Sequence, residues 1–292
     1  MTQPDASFRS LDPMSSPGAH ARLFDDGPAS VAGVASRVQG LILHEHWAQR
    51  YGQTLTDARR AEVHLRPVEA ILDALLSHDP APLNEVRPPE LRVIGNCRDF
   101  TLMSVAMLRA QDVPARARCG FGSYFNNGTF EDHWAIELWH ARRSRWELAD
   151  AQLDAIQAAA LKIDFDPLNV PRDRFIVAGQ AWVDCREGRS DPQTFGIFDM
   201  RGLWFIAHDL IRDAAALNNH VMLPWDVWGM MVEFETDAEL TSEMLTFLDH
   251  LAALTLEPDQ NLAELRGLFE QDHRLTIPPT VYNAVAGRTD TL

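Results

Sequence analysis

The sequence predicts an α+β fold, and three observations carry that expectation. The run RDFTLMSVAMLRAQD (98–112), entered through LRVIGNC, is apolar nearly all round its helical wheel, so it reads as a buried helix. The segment ARARCGFGSYF that follows alternates strictly, with Ala115, Ala117, Cys119 and Phe121 on one face. HWAIELW (133–139) and RWELAD (145–150) are two further strand-like runs, joined by a polar loop. A helix followed by three such strands implies an antiparallel sheet packed on a central helix.

The flanks read as helical additions to that core. Residues 1–28 are rich in Pro, Ser, Gly and Asp and are expected to be a flexible lead-in. An N-terminal helical segment covers 29–90. Val31, Val34, Val38, Leu41 and Ile42 predict one helix from Pro28 to about Tyr51. Val63, Val68, Ile71, Leu72 and Leu75 predict a second from about Asp57 to Ser77, before Pro80, Pro82, Pro88 and Pro89 break the chain. The α+β core is placed at 91–200. A C-terminal helical extension spans 201–272, with helices at 202–219, 237–254 and 259–271, and 273–292 reads as a polar tail.

Composition narrows the function classes. The chain has 292 residues, 46% of them hydrophobic, enough for a sizeable core. Its 42 acidic residues against 26 basic ones give a formal charge of −16, which repels a nucleic-acid backbone. Lys162 is the only lysine, so extensive self-crosslinking through the chain's own amines is not expected. No stretch has signal-peptide or membrane-span character. Three cysteines without CxxC spacing argue against a disulfide framework and favour a reducing, cytoplasmic setting.

Cys97 sits where a thiol would be activated. Asn96 is a good helix N-cap and Asp99 resembles the acidic half of a capping box, which makes Cys97 the first helical residue. There the helix dipole and unbonded N–H groups favour a thiolate and an oxyanion. If 140–145 forms a simple hairpin, Trp139 faces Trp146, Ala135 faces Asp150 and His133 faces Gln152. His133 and Asp150 then share one face as diagonal neighbours. A thiol, an imidazole and a carboxylate meet the requirement for a nucleophile with an oriented base.

GNCRDF, LRAQDVPARARCGFG, DHWAIELW and RWELAD, in that order, resemble the catalytic core of the transglutaminase-like superfamily, over about 91–154. The resemblance implies a transglutaminase-like or papain-like core in which Cys97 is the nucleophile, His133 the base and Asp150 the orienting acid. It departs in reading His133-Trp134-Ala135 where many relatives have His-Ala-Trp, and Asp150-Ala151-Gln152 where they have Asp-Pro-Thr. The second oxyanion donor is unassigned, with Gln39, His44, His46 and Trp47 as candidates by type. The implied activity is acyl transfer or amide hydrolysis through a Cys97 thioester. The substrate would be a peptide, an amide or a small acyl compound, with water or an amine as acceptor. A catalytically inactive scaffold, a papain-like enzyme and an arylamine-acetyltransferase-like enzyme remain as alternatives.

Several features invite other roles. His44 and His46, at i and i+2 on the expected helix, would point to different sides, and no third ligand is evident, so no metal site is expected. No nucleotide motif is present and no cofactor is expected. Cys119 and Cys185 read as core thiols. Arg116 and Arg118 read as a solvated strand face. Glu131 and Asp132 are acidic neighbours able to raise the pKa of His133, and Asp154 is an alternative orienting acid. Trp204, Trp225 and Trp228, with Met222, Met230 and Met231, read as core rather than as an apolar cleft.

Overall fold

The computed structural model describes residues 3–125 and 128–292. The chain divides into two compact units. One holds residues up to Ala117 with Trp134–Pro171, and the other holds Arg118–His133 with Arg172–Leu292.

The first unit opens with α1 (Val31–Gln39), capped by Ser30, and then β1 (Ile42–His44). Sequence periodicity predicted one long helix here, but α1 stops at Gly40. Residues Ile42–His44 are buried without interruption and pair in parallel with β2 (Val93–Gly95), setting Ile42 opposite Val93 and His44 opposite Gly95. A fully buried strand has no alternation, and its apolar run is indistinguishable from the end of a helix. Between these strands lie α2 (Asp57–Arg60) and α3 (Val68–His78). Pro67, unable to continue a helix, separates what the sequence joined.

Helix α4 (Cys97–Ala110) buries every side chain but that of Ala110. Arg109 fixes its far end by donating from Nε to the Ala115 carbonyl at 2.8 Å, where β3 (Ala115–Gly122) begins. Next come β4 (Phe130–His140) and β5 (Arg145–Ala149), paired antiparallel with Trp139 opposite Trp146 and Ile136 opposite Ala149. Ser144, at φ +49°, supplies the left-handed residue that closes the hairpin. After β5, α5 (Ala155–Leu161) is capped by Asp154. Residues 3–28 of the expected lead-in form short 3-10 turns with Phe8 and Phe24 buried, and Arg109 pairs with Asp12 at 2.6 Å.

In the second unit, β6 (Phe175–Val177) pairs antiparallel with β3, and α6 (Ala178–Arg186) follows. β7 (Phe195–Ile197) lies parallel to the start of β4 and antiparallel to β8 (Met200–Arg201). The sheet is therefore mixed rather than purely antiparallel, with strand order β6-β3-β4-β7-β8 and β5 on β4. Helix α7 (Leu203–Leu217) is buried from Phe205 to its end. Beyond it lie β9 (Asp226–Val227), α8 (Ser242–Leu256) and α9 (Pro258–Gln271). The expected polar tail instead forms a hairpin of β10 (Thr280–Asn283) and β11 (Arg288–Thr291), with β10 also paired to β9. The fold is α+β, with extra helices before and after the sheet.

Candidate active site

The local geometry at Cys97 is that of a capped helix start. Asn96 Oδ1 accepts the Arg98 N–H at 2.9 Å, and Asp99 Oδ2 accepts the Asn96 N–H at 2.9 Å, so the capping box is complete. Cys97 is the first helical residue and is 8% exposed. Arg98 is fully buried and its charge is met by Asp99 at 2.9 Å. Burial pushes the Asp99 carboxyl up, against the opposing pull of Arg98 and of the Asn96 N–H.

Asp150 directly follows β5, in the same unit as Cys97. Its N–H donates to the Pro167 carbonyl at 2.7 Å, and its Oδ1 accepts the Gln152 N–H at 3.0 Å. Gln39 Nε2 donates to the Ala151 carbonyl at 3.0 Å, so one expected oxyanion candidate instead anchors the segment after Asp150. His44 ends β1 opposite Gly95, and its Nδ1 accepts the His46 N–H at 3.2 Å. Asp154 accepts two N–H bonds as the cap of α5 and the Tyr51 hydroxyl at 2.6 Å, which commits this alternative acid to structure.

His133 closes the 118–133 segment of the second unit and is 2% exposed. Its ring lies 4.7 Å from Phe125, 5.9 Å from Tyr124 and 6.2 Å from Phe175, centroid to centroid. These three aromatics escaped the sequence reasoning. Tyr124 and Phe125 end the SYF of the first alternating run, but Phe175 lies far along the chain and nothing in its context marks it.

Two further expectations fail, each for its own reason. Arg116 and Arg118 are not a solvated face, because both sides of β3 are covered. Arg116 donates to Glu137 at 2.7 Å and lies 3.9 Å over the Trp146 ring, whereas Arg118 pairs with Asp213 at 2.7 Å. A buried arginine beside an acid is invisible to periodicity because the acid comes from a distant element. His44 and His46 do not share a helix, since His44 closes β1 and His46 lies in the following 3-10 turn. Trp228, Met222, Met230 and Met231 are buried, as expected, whereas Trp204 and Trp225 are only half-buried and Met230 also lines a groove. A groove of about 940 Å³ opens near Met244, Leu268 and Arg274, and its lining contains none of Cys97, His133 and Asp150.

Residues 77–151 match the model of the Transglutaminase-like superfamily. Cys97, His133 and Asp150 all fall inside that stretch. Comparison with curated proteins gives no match. A solved structure from Cytophaga hutchinsonii, described provisionally as a cysteine protease, aligns at 15% identity with a TM-score of 0.35. The alignment covers 59% of this chain and 46% of that one, so this chain spans under half of its length.

Proposed function

We propose that the chain is a cysteine-dependent acyl-transfer enzyme in which Cys97 is the nucleophile, His133 the general base and Asp150 the residue that orients it. The single observation that carries this proposal is the capping box that makes Cys97 the first residue of a buried helix. At that position the backbone N–H groups and the dipole favour a thiolate and the oxyanion of its adduct. The strand register supports the other two roles. Ile136 pairs with Ala149; Asp150 directly follows Ala149, and His133 lies three residues before Ile136 on β4. The superfamily match over 77–151 adds support, because it includes all three residues.

In this mechanism His133 removes the thiol proton as Cys97 Sγ attacks the carbonyl carbon of an amide or thioester. The tetrahedral intermediate collapses as the imidazolium returns the proton to the departing amine or thiol, leaving a thioester on Cys97. Water or an amine then attacks the thioester, giving up a proton to His133, and the thiol is regenerated. Asp150 holds the imidazole in the productive tautomer and stabilises its charged form. Self-crosslinking is disfavoured, because a chain with one lysine is itself a poor acyl acceptor.

A panel of activated amides and thioesters tests the proposal, with intact-protein mass spectrometry as the readout. An acyl adduct on wild type, mapped to Cys97 and missing from Cys97→Ala, is expected. Turnover retained in Cys97→Ala or in His133→Ala overturns the assignment.

A further inference from the structure

We propose that Cys119, Asp132 and Asp209 form a binding site for one divalent transition-metal ion of the zinc class. The site lies wholly within the second unit and does not depend on the proposed triad. Cys119 Sγ and one carboxylate oxygen from each of Asp132 and Asp209 lie within 4.8 Å of one another. Their spacing along the chain, from three separate elements, gives no motif.

Exposed acidic groups cluster often without a ligand, but these are not exposed. Cys119 and Asp209 are fully buried and Asp132 is 9% exposed. Asp132 Oδ1 and Asp209 Oδ2 are both buried without a hydrogen-bond partner. A buried carboxylate oxygen left unmatched is costly, so each calls for a counter-charge or a proton. Two guanidinium groups, Arg118 and Arg212, serve the three carboxylates of Asp132, Asp209 and Asp213, and Arg212 Nε is itself buried without a partner. Arg118 is taken by Asp213 through two contacts of 2.9 and 2.7 Å, and Arg212 serves Asp209 Oδ1 at 3.0 Å. Asp132 is the surplus acid of the cluster.

The donor set selects the ion. A thiolate with two carboxylates disfavours magnesium and calcium, and suits zinc or its analogue cobalt. With Zn–S near 2.3 Å and Zn–O near 2.1 Å, tetrahedral ligand atoms sit roughly 3.5 Å apart, so each pair needs to close in by at most about 1.3 Å. Outer contacts already hold two of the ligands. Arg212 fixes Asp209, and Asp213 Oδ1 accepts the Cys119 N–H at 2.9 Å. Binding releases the Cys119 proton to solvent, and a thiolate, two carboxylates and Arg212 then neutralise the divalent ion. The ion would brace β3, β4 and α7 at the residue immediately before His133.

The test uses the full chain, stripped with a chelator under reducing conditions and titrated with Co²⁺, then with Zn²⁺. One equivalent of Co²⁺ should produce near-ultraviolet thiolate-to-cobalt absorption that Zn²⁺ bleaches. The band should survive in Cys97→Ser, vanish in Cys119→Ser, and need at least about tenfold more metal in Asp209→Asn. Zn²⁺ should also raise the thermal midpoint of wild type. Wild type that takes up no cobalt overturns the proposal and leaves the two carboxyls sharing a proton. A band that vanishes in Cys97→Ser overturns it equally, by placing the metal at the other thiol. Both outcomes can be read even if Cys119→Ser fails to fold.

Discussion

Asp99 Oδ2 accepts the backbone N–H of Asn96 at 2.9 Å, reaching back across the first turn of α4 to the residue that precedes Cys97. This bond and its reciprocal fix where the helix begins, and so fix Cys97 as the first residue of α4, at the positive end of the helix dipole. Asn96→Ala should therefore lower unfolding stability by about 1 kcal/mol in a urea titration. The same variant should slow alkylation of Cys97, because a frayed first turn loses both the dipole and the aligned N–H groups.

The Arg118–Asp213 pair lies in an interior where neither charge is hydrated. Arg118→Ala should cost about 3–5 kcal/mol, since Asp213 is left buried beside Cys119 without its cation. Replacing both residues by apolar side chains of similar volume should recover most of that loss. A double-mutant cycle in denaturant measures the difference.

Acid sensitivity should be traceable to Asp272. Hydrogen bonds and charge from Arg274 hold its carboxyl below the ordinary aspartate value of 3.8. A depressed folded-state pKa means that the unfolded chain binds the proton more readily. The stabilisation is thus fully present above pH 4 and is lost as pH falls through the folded value. Asp272→Asn should flatten the acid limb of stability against pH while changing stability near neutrality by about 1 kcal/mol or less.

Thiol labelling should be selective. Burial and the charges of Asp184, Asp191 and Asp237 push the Cys185 thiol up to about 12, and burial with nearby carboxylates also raises that of Cys119. In native protein near neutral pH, peptide mapping should find carbamidomethylation at neither. Unfolding in denaturant should make all three cysteines react.

Much of the core was legible in the sequence, and the failures share a physical origin. The capping box, the buried helix and the Trp139–Trp146 register depend on residues close in sequence, so pattern alone exposes them. Strand β1 was misread as helix because its three residues are all buried and carry no alternation. The C-terminal hairpin looked like a tail because Tyr282, Arg288 and Thr289 are exposed on short strands with little apolar signal. Around the candidate site, the Phe175 wall of His133 and the Asp209 partner of Cys119 come from elements distant in sequence. Only the folded chain brings them near.

The most direct test of the activated-thiol claim is the pH dependence of iodoacetamide alkylation at Cys97, followed by mass spectrometry in wild type and His133→Ala. Fast alkylation of Cys97 near neutral pH, slowed when His133 is removed, is the predicted result. Alkylation at the rate of an ordinary exposed thiol, unchanged by His133→Ala, would contradict it.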